Sequence, residues 1–140
     1  MTRMDSLEPD FRAKVLRLIL SVEEATARTW AISDGRRTMD RQRYLYAQGR
    51  TTPGKVVTMA PPGQSAHNFG LAADLWPVLP TGDFDWGADD ALFRQMADLA
   101  KEQGLTPGYY FHSIHDAPHV EDPSWKLAQA AWKAGDLKVA

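Results

Sequence analysis

Ser65-Ala66-His67-Asn68-Phe69-Gly70-Leu71-Ala72-Ala73-Asp74 sets an imidazole and a carboxylate seven positions apart across an expected chain reversal. On a helix, His67 and Asp74 would be separated by roughly 10 Å of rise, and on one straight strand by roughly 23 Å. Only a fold-back brings the two side chains together. Asn68-Phe69-Gly70 can supply it, because Asn tolerates the left-handed region and Gly adopts positive φ at no steric cost. After the bend the sequence alternates, so Ala72, Asp74 and Trp76 share one face of a strand while Leu71, Ala73 and Leu75 share the other. Ala72 is small enough to leave room for an ion beside Asp74.

His and Asp are both zinc ligands, and two ligands of one zinc have donor atoms about 3 to 4 Å apart. Two ligands do not make a site, so a third must come from elsewhere in the chain. Besides His67 the chain holds His112, His115 and His119, all within Phe111-His112-Ser113-Ile114-His115-Asp116-Ala117-Pro118-His119-Val120-Glu121. A helix presenting 112, 115 and 119 on one face is excluded by Pro118, which removes a backbone donor and clashes with the preceding turn. The segment instead reads as a loop running into a short strand. Pro118 drives Ala117 towards extended geometry, and His119 and Glu121 then share a face, with Asp116 in the loop before them.

The pattern Ser-x-His-x-x-Gly-x-Ala-x-Asp, followed about 40 residues later by Asp116-Ala117-Pro118-His119, resembles the LAS zinc peptidases. Within that superfamily it is most similar to the VanY-like D-Ala-D-Ala peptidase branch, and in particular to the phage L-alanyl-D-glutamate peptidases, which are endolysins. The likeness begins at Leu7-Glu8-Pro9-Asp10-Phe11-Arg12, continues through Gly35-Arg36-Arg37-Thr38 with Gln42 and through Leu45 to Thr51, and ends near residue 121. The resemblance implies zinc held by His67, Asp74 and His119, Asp116 as general base, and Arg37, set in register by Gln42, on the reacting carbonyl. Ser65 and Gln42 become candidate substrate contacts, with closure of a turn as the other reading of Ser65. Where the family usually carries a Trp-Gly-Gly-x-Trp-like stretch lining the cleft, this chain has Pro107-Gly108-Tyr109-Tyr110-Phe111. Val120 stands where Phe is common, a packing change. Relatives that cleave D-Ala-D-Ala more often carry Glu at the base position, so Asp116 favours an endopeptidase over a carboxypeptidase or dipeptidase. A non-catalytic zinc-bearing binding module is the alternative from another class, since the superfamily includes signalling domains.

The donor set agrees with that chemistry. Three N and O ligands without a thiolate leave a fourth position of a tetrahedral zinc for water, the arrangement of catalytic sites. Zinc lowers the pKa of its water to about 7, and a nearby carboxylate can move the proton. His112 and His115 are expected to be structural.

At 140 residues, with 44% hydrophobic and 24% charged residues, the chain fits one domain spanning 1–140. The absence of cysteine excludes disulfides, thiolate metal sites and a cysteine nucleophile. A net charge of −2 argues against a nucleic-acid binder. No run is long enough to span a membrane, and Met1 to Asp10 lacks an apolar signal core. The expectation is therefore a monomer without an obligate protein partner, accumulating in the cytoplasm and reaching peptidoglycan stem peptides in the wall through a holin-like pore or another export route. Residues 28–55 hold seven basic side chains and two acids, whereas 74–122 hold ten acids and two bases. This suggests a basic wall facing an acidic, metal-bearing one.

Periodicity supplies the frame. Pro9 suits a first helical position, and Phe11, Val15, Leu18, Val22 and Ala25 recur at helical spacing, predicting a helix over 9–27. Trp30 to Ser33 reads as a strand, and Thr38 as the cap of a helix ending at Gly49. Lys55 to Met59 reads as a further strand. Trp76 to Gly87 is a connection in which Trp86 packs. A helix runs from Asp89 or Asp90 to Gly104, and Asp122-Pro123 opens a last helix bearing Trp125, Ala128 and Trp132. The fold class expected is α+β, a small antiparallel sheet carrying the zinc site and flanked by helices.

Overall fold

A computed structural model describes residues 2–140. Met1, part of the expected 1–140 domain, lies outside them. Helix α1 (Pro9–Thr26) starts where Glu8 accepts hydrogen bonds from the Asp10 and Phe11 amides, and it buries Phe11, Val15, Leu18 and Val22 completely. This is the face the helical spacing predicts, except for Ala25, which is exposed near the end of the helix. Strand β1 (Thr29–Asp34) follows, then α2 (Met39–Ala47), whose first turn is capped by the Thr38 hydroxyl accepting from the Arg41 amide.

The reversal predicted at Asn68-Phe69-Gly70 is a 3-10 turn over Ala66–Phe69, ended by Gly70 in the left-handed region at φ 70°. A side chain at Gly70 would also strike the Arg36 guanidinium. The chain then enters β2 (Ala72–Val78), where Ala73 and Leu75 are buried and Asp74 and Trp76 lie on the more open face. Helix α3 (Asp90–Glu102) turns Phe93, Met96 and Ala100 inward and packs beside α1. Two short strands, β3 (Thr106–Pro107) and β4 (His119–Glu121), complete an antiparallel sheet in the order β1-β2-β4-β3. Helix α4 (Trp125–Lys133) closes one side, its Trp132 against Gly63 and Phe69. This is the expected α+β arrangement. Among the described residues no helix is long and apolar enough to cross a membrane.

The sheet decides where the site falls. β2 pairs with β4 so that Asp74 lies directly opposite His119, and a bulge in β1 between Ile32 and Asp34 brings Asp34 opposite Asp74 from the other side. Bulges re-aim side chains at strand ends, and this one directs Asp34 towards Arg37.

Two expectations need correction. Lys55 to Met59 is not a strand; Gln48, just past the end of α2, donates its Nε2 to the Lys55 carbonyl at 3.0 Å instead. The last helix begins at Trp125 rather than at Pro123, after a turn closed by the Trp125 amide on the Asp122 carbonyl. Asp122 still caps this turn, accepting from the Ser124 amide at 2.9 Å. Trp86 does pack on Trp76, edge to face, but 65% of it remains exposed.

Candidate active site

His67, Asp74 and His119 converge at the base of a cleft of about 820 Å³, their ligand atoms all within 4.8 Å of one another. Each is delivered by a different element: His67 by the 3-10 turn, Asp74 by β2 and His119 by β4. His67 Nε2 is 3.3 Å and His119 Nδ1 3.4 Å from Asp74 Oδ1. The rings attract the carboxylate without being aligned for hydrogen bonds, since Asp74 Oδ1 and His119 Nδ1 are buried without any hydrogen-bond partner. Buried polar atoms are rarely left alone. Two orphaned donor atoms at this spacing, with no thiolate among them, fit a zinc ion, whose N and O ligands lie about 2.0 to 2.2 Å from the metal.

The far nitrogen of each ring is committed. His67 Nδ1 lies 2.8 Å from the Gly35 carbonyl, and His119 Nε2 lies 2.7 Å from Glu121 Oε1. With the proton on those atoms, Nε2 of His67 and Nδ1 of His119 present lone pairs to the same point. Burial alone would raise Asp74, but the two imidazoles outweigh it and hold the carboxyl far below the usual carboxylate range. Burial would lower His119; Asp74 and Glu121 reverse that and push it up to about 10, so a metal would have to displace the Nδ1 proton before that lone pair is free.

Asp116 stands on the cleft wall, its Oδ2 3.7 Å from His119 Nδ1. Burial pushes its pKa up, with Asp74 adding to the effect and His119, His67 and Arg37 opposing it. Its loop rests on Gly108: the Asp116 amide donates to the Gly108 carbonyl at 3.0 Å. The segment Pro107 to Phe111 thus becomes β3 and a 3-10 turn (Gly108–Tyr110) under Asp116, and Phe111 forms part of the cleft lining.

Of Arg36 and Arg37, it is Arg37 that lines the cleft. Its guanidinium donates to Asp34 Oδ2 at 2.5 Å and to Gln42 Oε1 at 2.9 Å, and its Nε has no partner. Arg36 turns away, its Nε donating to the Ser6 carbonyl. Gln42, expected to touch substrate, is fully buried and absent from the cleft lining; its amide nitrogen donates to the Ala60 carbonyl at 2.7 Å. It braces Arg37 from behind. Ser65 does line the cleft, its oxygen accepting from the His67 amide at 3.3 Å.

The basic wall does not form. Of the seven bases in 28–55 only Arg37 lines the cleft, while Arg28 pairs with Asp85, Arg43 pairs with Asp40, and Arg41 and Arg50 lie over Tyr44 and Tyr46. Val57, Met59 and Ile114 form apolar rims instead. His112 and His115 are exposed and outside the ligand cluster, with His115 Nδ1 near the Tyr109 carbonyl. Sequence reading missed Asn68 as a scaffold residue. Its side chain accepts from the Gly63 amide and donates to the Arg37 carbonyl, tying cleft rim to turn; only its burial reveals this.

A His/Asp/His cluster able to hold a metal ion, with an adjacent carboxylate and arginine, set on a small antiparallel sheet, defines the class as that of α+β domains with a metal-ligand cluster in a cleft. Residues 4–128 match the family model described as VanY: D-alanyl-D-alanine carboxypeptidase. The chain belongs to that family. It is similar to the peptidoglycan L-alanyl-D-glutamate endopeptidase CwlK of Bacillus subtilis (strain 168), 35% identical over 99 residues that cover 64% of this chain and 58% of CwlK. The chain thus spans a little under three fifths of that relative's length. Among solved structures, the L-Ala D-Glu endopeptidase ChiX of Serratia marcescens superposes with a TM-score of 0.62 at 21% identity, over 89% of this chain and 86% of ChiX. The vancomycin-resistance D,D-pentapeptidase VanY from a VanB-type cassette, solved with Zn(II), gives 0.63 at 15% identity, over 92% and 79%. These two likenesses extend to the fold.

Proposed function

We propose that this chain is a zinc-dependent peptidase of peptidoglycan stem peptides, cutting between L-Ala and D-Glu. The observation that carries the proposal is the convergence of His67, Asp74 and His119 in an open cleft with Asp116 3.7 Å from His119 Nδ1. The likeness to CwlK supports the choice of bond. His67 Nε2, an Asp74 carboxylate oxygen and His119 Nδ1 would hold the metal. Zinc bound there supplies Lewis acidity and a water of lowered pKa.

The chain's own residues do the rest. Asp116, half-buried and with its pKa raised, accepts a proton from the attacking water and returns it to the leaving amine. Arg37, fixed by Asp34 and Gln42, stabilises the charge that develops on the scissile carbonyl oxygen. Such preorganisation matters because a donor already held in place needs no reorganisation during reaction. The Ser65 hydroxyl, whose oxygen accepts from the His67 amide, keeps its own proton to donate to the peptide. Release to the wall through a holin-like pore, as for an endolysin, belongs to the same reading.

Digestion of purified peptidoglycan with mass spectrometry of the fragments tests it. New amino-terminal D-Glu ends are expected. Release of D-Ala alone would select a carboxypeptidase, and no cleavage by zinc-loaded protein would leave a binding module.

A further inference from the structure

Glu121 has no part in the reaction described above, yet it lines the cleft and is only 15% exposed at its side chain. Its two oxygens are separately engaged. Oε1 lies 2.7 Å from His119 Nε2, and Oε2 accepts from Trp125 Nε1, also at 2.7 Å. Residues two apart on a strand point the same way but stand too far apart to touch by default, roughly 7 Å from Cα to Cα. The contact therefore requires the carboxylate to lean along β4, and the indole of α4 holds it there.

We propose that Glu121 is a positioning residue for the metal centre. Anchored by Trp125, it fixes the His119 ring and its tautomer so that Nδ1 faces Asp74 and His67. Imidazole is rigid, so pinning Nε2 leaves Nδ1 one direction. Histidines that bind metal commonly donate their other N–H to a carboxylate or a carbonyl, which orients the ring and makes it a better electron donor. This chain uses both devices. His67 is backed by the Gly35 carbonyl, which substitution cannot remove, and His119 by a carboxylate, which it can. Glu121 also adds a negative charge to a cleft that already has Asp74 and Asp116, favouring retention of a divalent cation. The alternative is that Glu121 merely satisfies the Trp125 indole and has no influence on the metal.

The inference rests on zinc binding as proposed above, so the test reads metal affinity instead of hydrolysis. Zinc dissociation constants of wild type, Glu121→Ala, Glu121→Gln and Trp125→Phe are measured by competition with a chromophoric chelator, with circular dichroism as the check on folding. Glu121→Ala is expected to weaken zinc about 10- to 100-fold. Glu121→Gln, which keeps a carbonyl acceptor for Nε2, should recover part of that loss, and Trp125→Phe, which frees the carboxylate, should fall between Glu121→Gln and wild type. In the zinc-loaded wild type the His119 Nε2 proton should be visible by NMR as a slowly exchanging, downfield signal that disappears in Glu121→Ala. A folded Glu121→Ala protein that binds zinc as tightly as wild type overturns the assignment while leaving the metal site intact. Wild-type protein that binds no zinc overturns both.

Discussion

Gly108 lies beneath Asp116, and replacing it with alanine tests whether the placement of that carboxylate limits turnover. A Cβ at position 108 would sit 2.5 Å from the Asp116 carbonyl oxygen, 2.9 Å from His119 Cβ and 3.0 Å from Asp116 Cβ. Ordinary contact starts at 3.4 Å, so one side must retreat by about 0.9 Å. None of these neighbours is the far end of a flexible side chain. His119 is paired with Asp74 of β2, and Val120 and Glu121 after it with β3, whereas Asp116 stands in a loop; the loop should yield. A displacement of about 1 Å in a reacting group costs on the order of 10²-fold in rate, equivalent to about 2.7 kcal/mol of barrier. Overpacking should also cost about 1–3 kcal/mol of stability. The assay is kcat on a defined stem-peptide fragment at saturating zinc, with metal content and thermal unfolding measured alongside. Gly108→Ala should keep its zinc and lose about 10²-fold in kcat, and in an Asp116→Ala background it should add little, because the misplaced group is already gone. A folded, zinc-loaded Gly108→Ala protein with kcat within about threefold of wild type would refute the reasoning.

His67→Ala and His119→Ala should each abolish stoichiometric zinc by elemental analysis, and His115→Ala should not; retention in either of the first two refutes the ligand set. Asp116→Ala should bind zinc normally and lose hydrolysis by roughly 10²-fold or more, and normal turnover would remove it from the mechanism. Gln42→Leu leaves an Arg37 donor and the Ala60 carbonyl unpaired, so chemical denaturation should show a loss of about 1–3 kcal/mol, with kcat falling more than KM rises. Asp122 is held below its ordinary pKa because its hydrogen bonds to Lys14 and Ser124 outweigh the effect of burial. Its contribution is therefore present above the unfolded value of about 4 and is lost as pH falls through the folded one. Asp122→Ala should cost about 1–2 kcal/mol at neutral pH and progressively less in acid, as read from denaturation midpoints; a cost that grows in acid would contradict the ion pair.

What could be read from sequence was what is encoded locally. Asn68-Phe69-Gly70 carries its own backbone preference, and alternation from Leu71 to Trp76 already separates the face of Asp74 from that of Leu75. Helical spacing from Phe11 to Val22 specifies a buried stripe without knowing its partner. The Lys55 to Met59 misreading has the opposite cause: β propensity is real only where a neighbouring strand can pair, and here the Lys55 carbonyl is taken by Gln48. The basic run failed in the same way. Charge along the chain says nothing about which arginine points inward, and here a bulge in β1 and a buried glutamine select Arg37 alone. The closeness of Gly108 to Asp116 and the bridge from Glu121 to Trp125 are contacts between separate elements with no local sequence signal.

The pairing of Asp74 with His119 across β2 and β4, with His67 coming from the turn before, has a mechanical meaning. An ion gripped by these three side chains is a removable cross-link between segments 52 positions apart in the chain, closing a loop that contains all of α3. Metal binding and folding would then be one equilibrium. Free zinc a thousandfold above its dissociation constant would deepen the native well by about 4 kcal/mol. Loss of the ion would remove that cross-link, so the metal-free protein should open more readily where β4 meets β2.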